Sequence, residues 1–202
     1  MSILTKEQAS RFLAPLRGNV AILLMHDIQA KLPLSRLIMR CAAMQSMTTT
    51  VLDADAFYCT NMDRFAEEAQ SITKGELLLL PAQDFEVSSL LPLLSSEREM
   101  LIIDDLNSLF SLASDGRKLH QLTIMMKLLS LNARANRSWV IATAYRAEPG
   151  SKQGAVNQRS LTSLGDLLVD THYRKGSLQL SAGFKGQWPN GELDFGALYF
   201  EM

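Results

Sequence analysis

Two segments of strand length, one rich in β-branched residues and one apolar, are each followed at once by carboxylates, the ligands that hard divalent cations prefer in proteins. The first segment covers residues 48–52 and the second covers residues 100–103. The acids that follow them are Asp53, Asp55, Asp104 and Asp105. If the segments are neighbouring strands, these carboxylates meet at one sheet edge. A metal-dependent nuclease or phosphohydrolase would hold Mg²⁺ in such a place.

The turn after the first predicted strand is where a phosphate-binding loop would lie. Such a loop reads G-x-x-x-x-G-K-[ST], in which glycines admit phosphates to backbone N–H groups and the lysine neutralises them. The turn here is residues 26–35, HDIQAKLPLS. With Ser35 in the last position of the motif, Leu34 stands at the lysine. Pro33 and Ile28 then stand at the two glycines, and Pro33 has no N–H to donate.

Two charged residues of this turn also bear on phosphate. Asp27 adds a negative charge that opposes an anion, and Lys31 is a cation that could reach one, although no glycine accompanies it. The turn therefore predicts a plain strand-to-helix connection, with Lys31 and Ser35 at degenerate P-loop positions. We expect no nucleotide or metal cofactor.

The segment of residues 101–105, LIIDD, has the Walker B form, an apolar strand that ends in the acid with which a P-loop NTPase holds magnesium. Carboxylates at strand ends also cap the helix that follows. Because no phosphate loop accompanies the strand, Asp104 and Asp105 are expected to be a remnant of such a site, with a structural role.

Apolar strands alternate with amphipathic helices along most of the chain. Strands are predicted over residues 20–25, 48–52, 77–80, 100–103 and 139–143, and helices over residues 5–13, 33–43, 64–71 and 118–136, with 87–94 helical or irregular. This alternation predicts a mainly parallel sheet covered by helices on both sides. The last helix has one apolar face, formed by Leu119, Leu122, Met126, Leu129 and Ala133. Residues 167–172, 177–184 and 193–200 are expected to add antiparallel β-hairpins at the C-terminal end.

The composition indicates one soluble globular domain over residues 1–202, in the cytoplasm. Hydrophobic residues make up 47% and charged residues 20% of the chain, and the net charge is −1. No signal peptide and no membrane span is expected from the apolar runs. The net charge gives no overall attraction to nucleic acid, so a nucleic-acid contact requires a local patch. Cys41 and Cys59 lack the paired spacing of a zinc site, and we expect two buried free thiols and no metal.

The order of elements resembles the RecA/RadA/KaiC ATPase core over about residues 18–200. The stretches that carry the resemblance are residues 20–25 with the following helix, TVLDADAF (50–57), LIIDDLNSL (101–109), WVIATAYR (139–146) and residues 161–169 with the turns after them. The resemblance implies a RecA-like three-layer α/β core. Because the Walker A motif is missing, it also implies a pseudo-ATPase, similar to degenerate recombinase paralogs and to Elongator subunits.

The same resemblance makes residues 148–160 the counterpart of a mobile DNA-binding loop. The residues that suit this role are Arg146, Lys152, Gln153, Asn157 and Arg159. Cationic and amide side chains supply phosphate contacts, although an ordinary surface loop has the same composition. The partners that the resemblance implies are single- or double-stranded DNA and a recombinase or further copies of this chain.

Three functions follow from the sequence. The first is a non-catalytic RecA/RadA-like paralog that binds DNA or assembles with a partner in recombination and repair. The second is a Mg²⁺-dependent nuclease or phosphohydrolase that uses the aspartates at the strand ends. The third is an Elongator-like structural subunit, in which the assembly surfaces matter and residues 148–160 do not.

Overall fold

One eight-stranded sheet organises the part of the chain that the computed structural model describes, which is residues 4–61, 76–79, 86–94, 98–113, 115–146, 164–175, 177–183 and 200–201. The strands are β1 (Val20–Met25), β2 (Thr49–Asp53), β3 (Glu76–Leu79), β4 (Met100–Asp104), β5 (Trp139–Tyr145), β6 (Leu167–Arg174), β7 (Ser177–Gly183) and β8 (Phe200–Glu201). Their order across the sheet is β3-β2-β4-β5-β1-β6-β7-β8. The first six in this order are parallel, and β7 and β8 extend the sheet antiparallel.

Five α-helices lie in the described residues. They are α1 (Lys6–Leu13), α2 (Lys31–Met44), α3 (Phe57–Thr60), α4 (Leu106–Leu112) and α5 (Gly116–Asn136), with 3₁₀ helices over Ala14–Leu16, Ile28–Ala30 and Val87–Leu94. Side chains cap three of the α-helices: Thr5 begins α1 in a capping box, and Asp105 and Asp115 accept N–H groups at the start of α4 and α5. No helix in these ranges is both long enough and apolar enough to cross a membrane.

Strand β1 shows why the sequence builds three layers. Its six residues are all buried, and successive side chains point to opposite faces of the sheet. Ala21, Leu23 and Met25 belong to the core beneath α1 and α2, whereas Val20, Ile22 and Leu24 belong to the core beneath α4 and α5. A strand that is covered on both faces needs a continuous apolar run, and this is the pattern in the sequence.

The predicted strands are confirmed within one or two residues where the structure describes them, and α2 begins two residues earlier than expected. Helices α3 and α4 were not predicted. The predicted helix over 64–71 lies outside the described residues, as does the third C-terminal strand except Phe200. Leu119 is 42% exposed and does not belong to the buried face of α5, which includes Met125 instead. Cys41 is buried as expected, but the prediction is wrong for Cys59, which is exposed.

Candidate functional site

The strand-end aspartates converge at the carboxyl edge of the sheet. Strands β2 and β4 are parallel neighbours, and their register places Asp53 beside Asp104. One carboxylate oxygen from each of Asp53, Asp55 and Asp104 lies within 4.8 Å of the others. The convergence expected from the sequence is therefore confirmed for these three acids, and a positive charge would stabilise carboxylates that lie so close together.

Lys31 supplies that charge from within the chain. It is the first residue of α2 and is only 3% exposed. Its Nζ lies 2.5 Å from Oδ2 of Asp55, 3.2 Å from Oδ2 of Asp104 and 3.3 Å from Oδ2 of Asp105. The ammonium is thus shared by three carboxylates that come from the ends of two strands.

Two aromatic rings surround the same ammonium. Its Nζ lies 4.5 Å from the ring centroid of Phe57 and 5.8 Å from that of Tyr145. Ring faces attract cations at these distances. Burial is the largest single effect and lowers the pKa of Lys31. Asp104, Asp55, Tyr145 and Asp105 together raise it by more, so the net pKa lies above its ordinary value. Lys31 is therefore charged at neutral pH.

Asp104 is the most buried acid of the group, with an exposed fraction of 0%. Burial raises its pKa to about 7, although Lys31 and a hydrogen bond from Thr143 oppose the shift. The Thr143 hydroxyl donates this bond to Oδ1 from the neighbouring strand β5. Asp104 therefore exchanges a proton near neutral pH, whereas an exposed aspartate would be ionised throughout this range.

Asp53 and Asp105 have different environments. Asp105 accepts the N–H of Ser108 at 2.7 Å and so caps α4, the structural role that the sequence suggested for a strand-end acid. Asp53 accepts the N–H of Cys59 at 3.0 Å through Oδ2. Its Oδ1 is buried and has no hydrogen-bond partner among the described residues, and burial raises the pKa of this carboxyl group.

The backbone N–H groups in the connection between β1 and α2 already donate to acceptors within the protein. The N–H of Gln29 donates to Oδ1 of Asp27 at 2.9 Å. The N–H of Ala30 donates to the backbone carbonyl of Asp27 at 3.0 Å. The N–H of Lys31 donates to the carbonyl of Ile28. The N–H of His26 donates to the Thr171 carbonyl at 3.2 Å. These are donors that a phosphate cradle at this turn would need.

The structure places Lys31 and Ser35, the two residues at the expected degenerate P-loop positions, at different points of α2. In that motif the lysine and the hydroxyl residue lie where the helix begins. Lys31 opens α2, whereas Ser35 lies one turn further along and is fully buried, with its hydroxyl beside the phenol of Tyr58. With Lys31 at the lysine position, Met25 and Ala30 stand at the glycines and Leu32 at the hydroxyl residue. This second alignment is shifted by three residues from the alignment that ends at Ser35, and in both of them the glycines are missing.

Of the predicted DNA-binding residues, the structure describes Arg146 alone. It is exposed, directly follows β5, and its Nη1 lies 3.4 Å from Nε2 of His26. The others, Lys152, Gln153, Asn157 and Arg159, lie outside the described residues. Sequence reasoning missed that β6 brings Asp170 and His172 to the same place. The spacing of two between Asp170, His172 and Arg174 was the signal that could have revealed it.

Comparisons with known proteins give the fold a wider context. No family model and no curated protein matches this chain. Among solved structures, the chain is similar to the RadB recombinase, with a TM-score of 0.60, 13% identity and 89% of each chain covered. It is similar to a KaiC-like protein from Pyrococcus horikoshii OT3, with a TM-score of 0.57, 11% identity, and 82% of this chain and 78% of that chain covered.

A third similar structure is the flagellar accessory protein FlaH from Methanocaldococcus jannaschii. Its TM-score is 0.56, with 14% identity, and 89% of this chain and 85% of that chain are covered. Together with the parallel sheet between two helical layers, these similarities confirm the expected fold class. The chain has a RecA-like α/β fold with an antiparallel C-terminal extension of the sheet.

Proposed function

We propose that this chain is a RecA-like binding and assembly module that does not hydrolyse ATP. It would act as a non-catalytic paralog of RecA/RadA-type recombinases, as one domain over residues 1–202 in the cytoplasm. The observation that carries the proposal is the position of Lys31. Its ammonium is buried and already shared by Asp55, Asp104 and Asp105, at the sheet edge where an open α/β fold binds its ligand.

A nucleotide would compete with three carboxylates for this lysine. In a P-loop the lysine reaches the β- and γ-phosphates, and the strand-end acid holds magnesium. Here Lys31 is surrounded by acids and by the rings of Phe57 and Tyr145. Breaking a buried ion pair costs about 3–5 kcal/mol, so a phosphate would first have to offset that loss.

The backbone of the β1–α2 connection supports the same conclusion. The residues at the glycine positions are Met25 and Ala30, and the hydroxyl position is Leu32. The N–H groups of Gln29 and Ala30 already donate to Asp27, whose carboxylate lies where an anion would be held. A phosphate would have to displace these internal bonds and would meet the negative charge of Asp27.

Titration with Mg-ATP, followed by calorimetry and by phosphate release, tests this proposal. We expect no saturable binding up to about millimolar nucleotide. A dissociation constant of about 1 mM corresponds to a binding free energy of about −4 kcal/mol, so any binding would be weaker than this. The informative variants are Lys31→Met and Asp104→Asn, with Lys127→Met, an exposed lysine on α5, as the matched control. Turnover in the wild type and the control that disappears in the other two variants would overturn the proposal.

The partners that we propose are single- or double-stranded DNA, and a recombinase or further copies of this chain. Arg146 and the segment that begins after it would provide the DNA contacts. Light scattering measures self-assembly, and oligonucleotide binding by the double variant Arg146→Ala, Arg159→Ala measures the DNA contribution. If the wild type binds DNA and the double variant binds it equally well, an Elongator-like scaffold becomes the better description.

A metal-dependent hydrolase is the second candidate, because oxygens of Asp53, Asp55 and Asp104 lie within 4.8 Å of one another. Lys31 opposes this function, since its ammonium already neutralises the same carboxylates. Nuclease activity that depends on Mn²⁺ and is lost in Asp104→Asn would favour the hydrolase. Its absence on both DNA and RNA substrates would dispose of it.

A further inference from the structure

Basic side chains gather on a surface at the carboxyl ends of β1, β5 and β6, the sheet edge that also carries Lys31 with Asp55, Asp104 and Asp105, here called the Lys31 cluster. One acid lies among them. We call this the β6 basic surface and define it by His26, Arg146, Asp170, His172 and Arg174. Of these, the two arginines are exposed and the other three are half-buried.

Strand β6 extends beyond its neighbour and so forms the surface. Strand β1 pairs with residues 167–171, and therefore His172 lies past the last residue of β1. Asp170, His172 and Arg174 alternate along β6 and point to the same side of the sheet. His26 directly follows β1 and stacks its ring on that of His172, with centroids 4.0 Å apart and an interplanar angle of 24°.

The hydrogen-bonding capacity of His26 leaves Arg146 available to a ligand. Nε2 of His26 lies 2.8 Å from Oδ1 of Asp170 and 3.4 Å from Nη1 of Arg146. A carboxylate only accepts and a guanidinium only donates, so this nitrogen can serve one of them at a time. The shorter contact is to Asp170, which therefore fixes the imidazole and leaves the guanidinium of Arg146 uncommitted.

Arg174 adds a second guanidinium to the same surface. It is exposed at the end of β6 and has no ion pair among the described residues. Burial and His26 lower the pKa of the His172 imidazole most, and Asp170 opposes them. Arg174 and Arg146 are near enough to lower this pKa further. The surface as defined thus carries two guanidinium groups and one carboxylate, so it is positive although the chain as a whole is not.

We propose that the β6 basic surface binds single-stranded nucleic acid, with Arg146 and Arg174 on phosphodiester groups and the His26–His172 ring pair beside a base. Guanidinium groups bind phosphate oxygens through two parallel hydrogen bonds. Histidine rings stack on bases that are splayed from a single strand, which a duplex does not offer. Asp170 keeps the rings in place and repels phosphate from the inner end of the surface.

This inference rests on the proposed DNA-binding role and adds residues from β1 and β6 to it. The proposed loop residues after Arg146 supply cations but no ring apart from the neighbouring Tyr145. The β6 basic surface supplies rings and cations together. The β6 basic surface contains no residue of the Lys31 cluster, which lies where a nucleotide would bind in this fold. Nucleic-acid binding at this surface therefore does not require a bound nucleotide.

Fluorescence anisotropy with a labelled oligo-dT of about 16 nucleotides, which is as long as the largest site of a single OB fold, tests the inference. The variants are Arg146→Ala, Arg174→Ala and His172→Ala. Lys127→Ala, which removes an exposed cation from α5, is the matched control. Circular dichroism and urea unfolding verify that each variant is folded.

We expect each arginine variant to weaken binding about tenfold or more, since a hydrogen bond to a charged group contributes about 1.5–3 kcal/mol. The logarithm of the association constant decreases linearly with the logarithm of the salt concentration. The magnitude of this slope should become smaller by about 0.7 for each phosphate contact that is lost. His172→Ala should weaken binding without changing this slope, because a stacked ring releases no counterion. Lys127→Ala should leave both the affinity and the slope unchanged.

Several results would overturn the inference. They are no binding by the wild type, equal affinity for a duplex of the same length, or a loss in Lys127→Ala as large as in the arginine variants. Inorganic phosphate that displaces the oligonucleotide at matched ionic strength would show a site for free phosphate instead. None of these results bears on whether the protein hydrolyses ATP. The Mg-ATP titration tests that part of the proposed function separately.

Discussion

Lys31 and Asp104 form an ion pair in the interior of the protein. Nζ of the lysine lies 3.2 Å from Oδ2 of the aspartate, and the two side chains are 3% and 0% exposed. The lysine is the first residue of α2 and the aspartate is the last residue of β4. The pair therefore connects a helical layer to the middle of the sheet, where neither charge is compensated by water.

The first prediction concerns the loss of the buried cation. Lys31→Met retains the length of the side chain but leaves Asp55, Asp104 and Asp105 without their counter-ion. We expect the free energy of unfolding to fall by about 3–5 kcal/mol, as when one partner of a buried pair is removed. Urea unfolding measures the loss. Lys127→Met should change the stability by less than about 0.5 kcal/mol, and a similarly small change in Lys31→Met would contradict the buried pair.

The second prediction concerns the pH dependence that Asp104 confers. Its pKa is about 7 in the folded protein and about 3.9 in an unfolded chain. The folded state therefore binds more protons between these values, and the contribution of Asp104 to stability falls as the pH rises through them. We expect the stability of the wild type relative to Asp104→Asn to decrease from about pH 4 to about pH 7.

Urea unfolding of the two proteins across this range measures that difference. Glu7→Gln, at an exposed position in α1, provides the control, and its difference from the wild type should show no such fall. A constant difference between the wild type and Asp104→Asn would mean that Asp104 binds the same number of protons in the folded and unfolded states, and that its pKa is not raised by folding.

The fold was predictable from the sequence because burial on both faces leaves a direct signature. The run from Val20 to Met25 is apolar at every position, and the run from Met100 to Ile103 is followed at once by acids. Helix α4 was missed because it has seven residues, too few to show a repeating apolar face. Its N-terminal signal, the Asp105 side chain three residues before Ser108, was given a structural role at the strand end, but no helix was predicted after it.

The site was only partly predictable for a different reason. The convergence of Asp53 and Asp104 follows from the register of neighbouring parallel strands, which the acid-ended segments indicated. The partner of these acids does not follow, because Lys31 lies on another strand connection and reaches them only through the packing of α2 on the sheet. Periodicity shows which face a residue lies on, but not which side chain from elsewhere will meet it.

The third prediction separates the two thiols. Burial raises the pKa of Cys41 to about 12, whereas Cys59 is exposed. Because the thiolate is the reactive form, we expect a disulfide reagent to modify Cys59 alone in the folded protein and both thiols in concentrated urea. Cys59→Ser should abolish the reaction of the folded protein. A fast reaction that persists in this variant would show that Cys41 is accessible.

The fourth prediction concerns the close approach of the chain to β1 at Gly165. A Cβ atom at this position would lie 2.7 and 2.8 Å from Cδ1 and Cγ1 of Ile22, which is fully buried. We expect Gly165→Ala to lower the free energy of unfolding by about 1–3 kcal/mol, the usual cost of overpacking. Gly116→Ala is the matched control, because nothing lies within 4 Å of its Cβ position. It should be neutral or stabilise by up to about 1 kcal/mol.

The last prediction asks whether the ammonium of Lys31 takes the place that a metal ion would have. Lys31→Ala leaves Asp53, Asp55 and Asp104 with oxygens within 4.8 Å of one another and with no cation between them. Oδ1 of Asp53 is buried and has no hydrogen-bond partner among the described residues, so it could serve as a ligand. Hard divalent cations bind such carboxylate groups.

We expect Mn²⁺ to raise the melting temperature of Lys31→Ala and to leave that of the wild type unchanged, since a ligand stabilises only the state that binds it. Asp53→Asn in the Lys31→Ala background should reduce the effect, whereas Glu7→Gln in the same background should not. Thermal unfolding with and without Mn²⁺ measures all four proteins. An equal rise in the wild type would show that the cation binds elsewhere or beside the lysine, and then Lys31 would not exclude a metal ion.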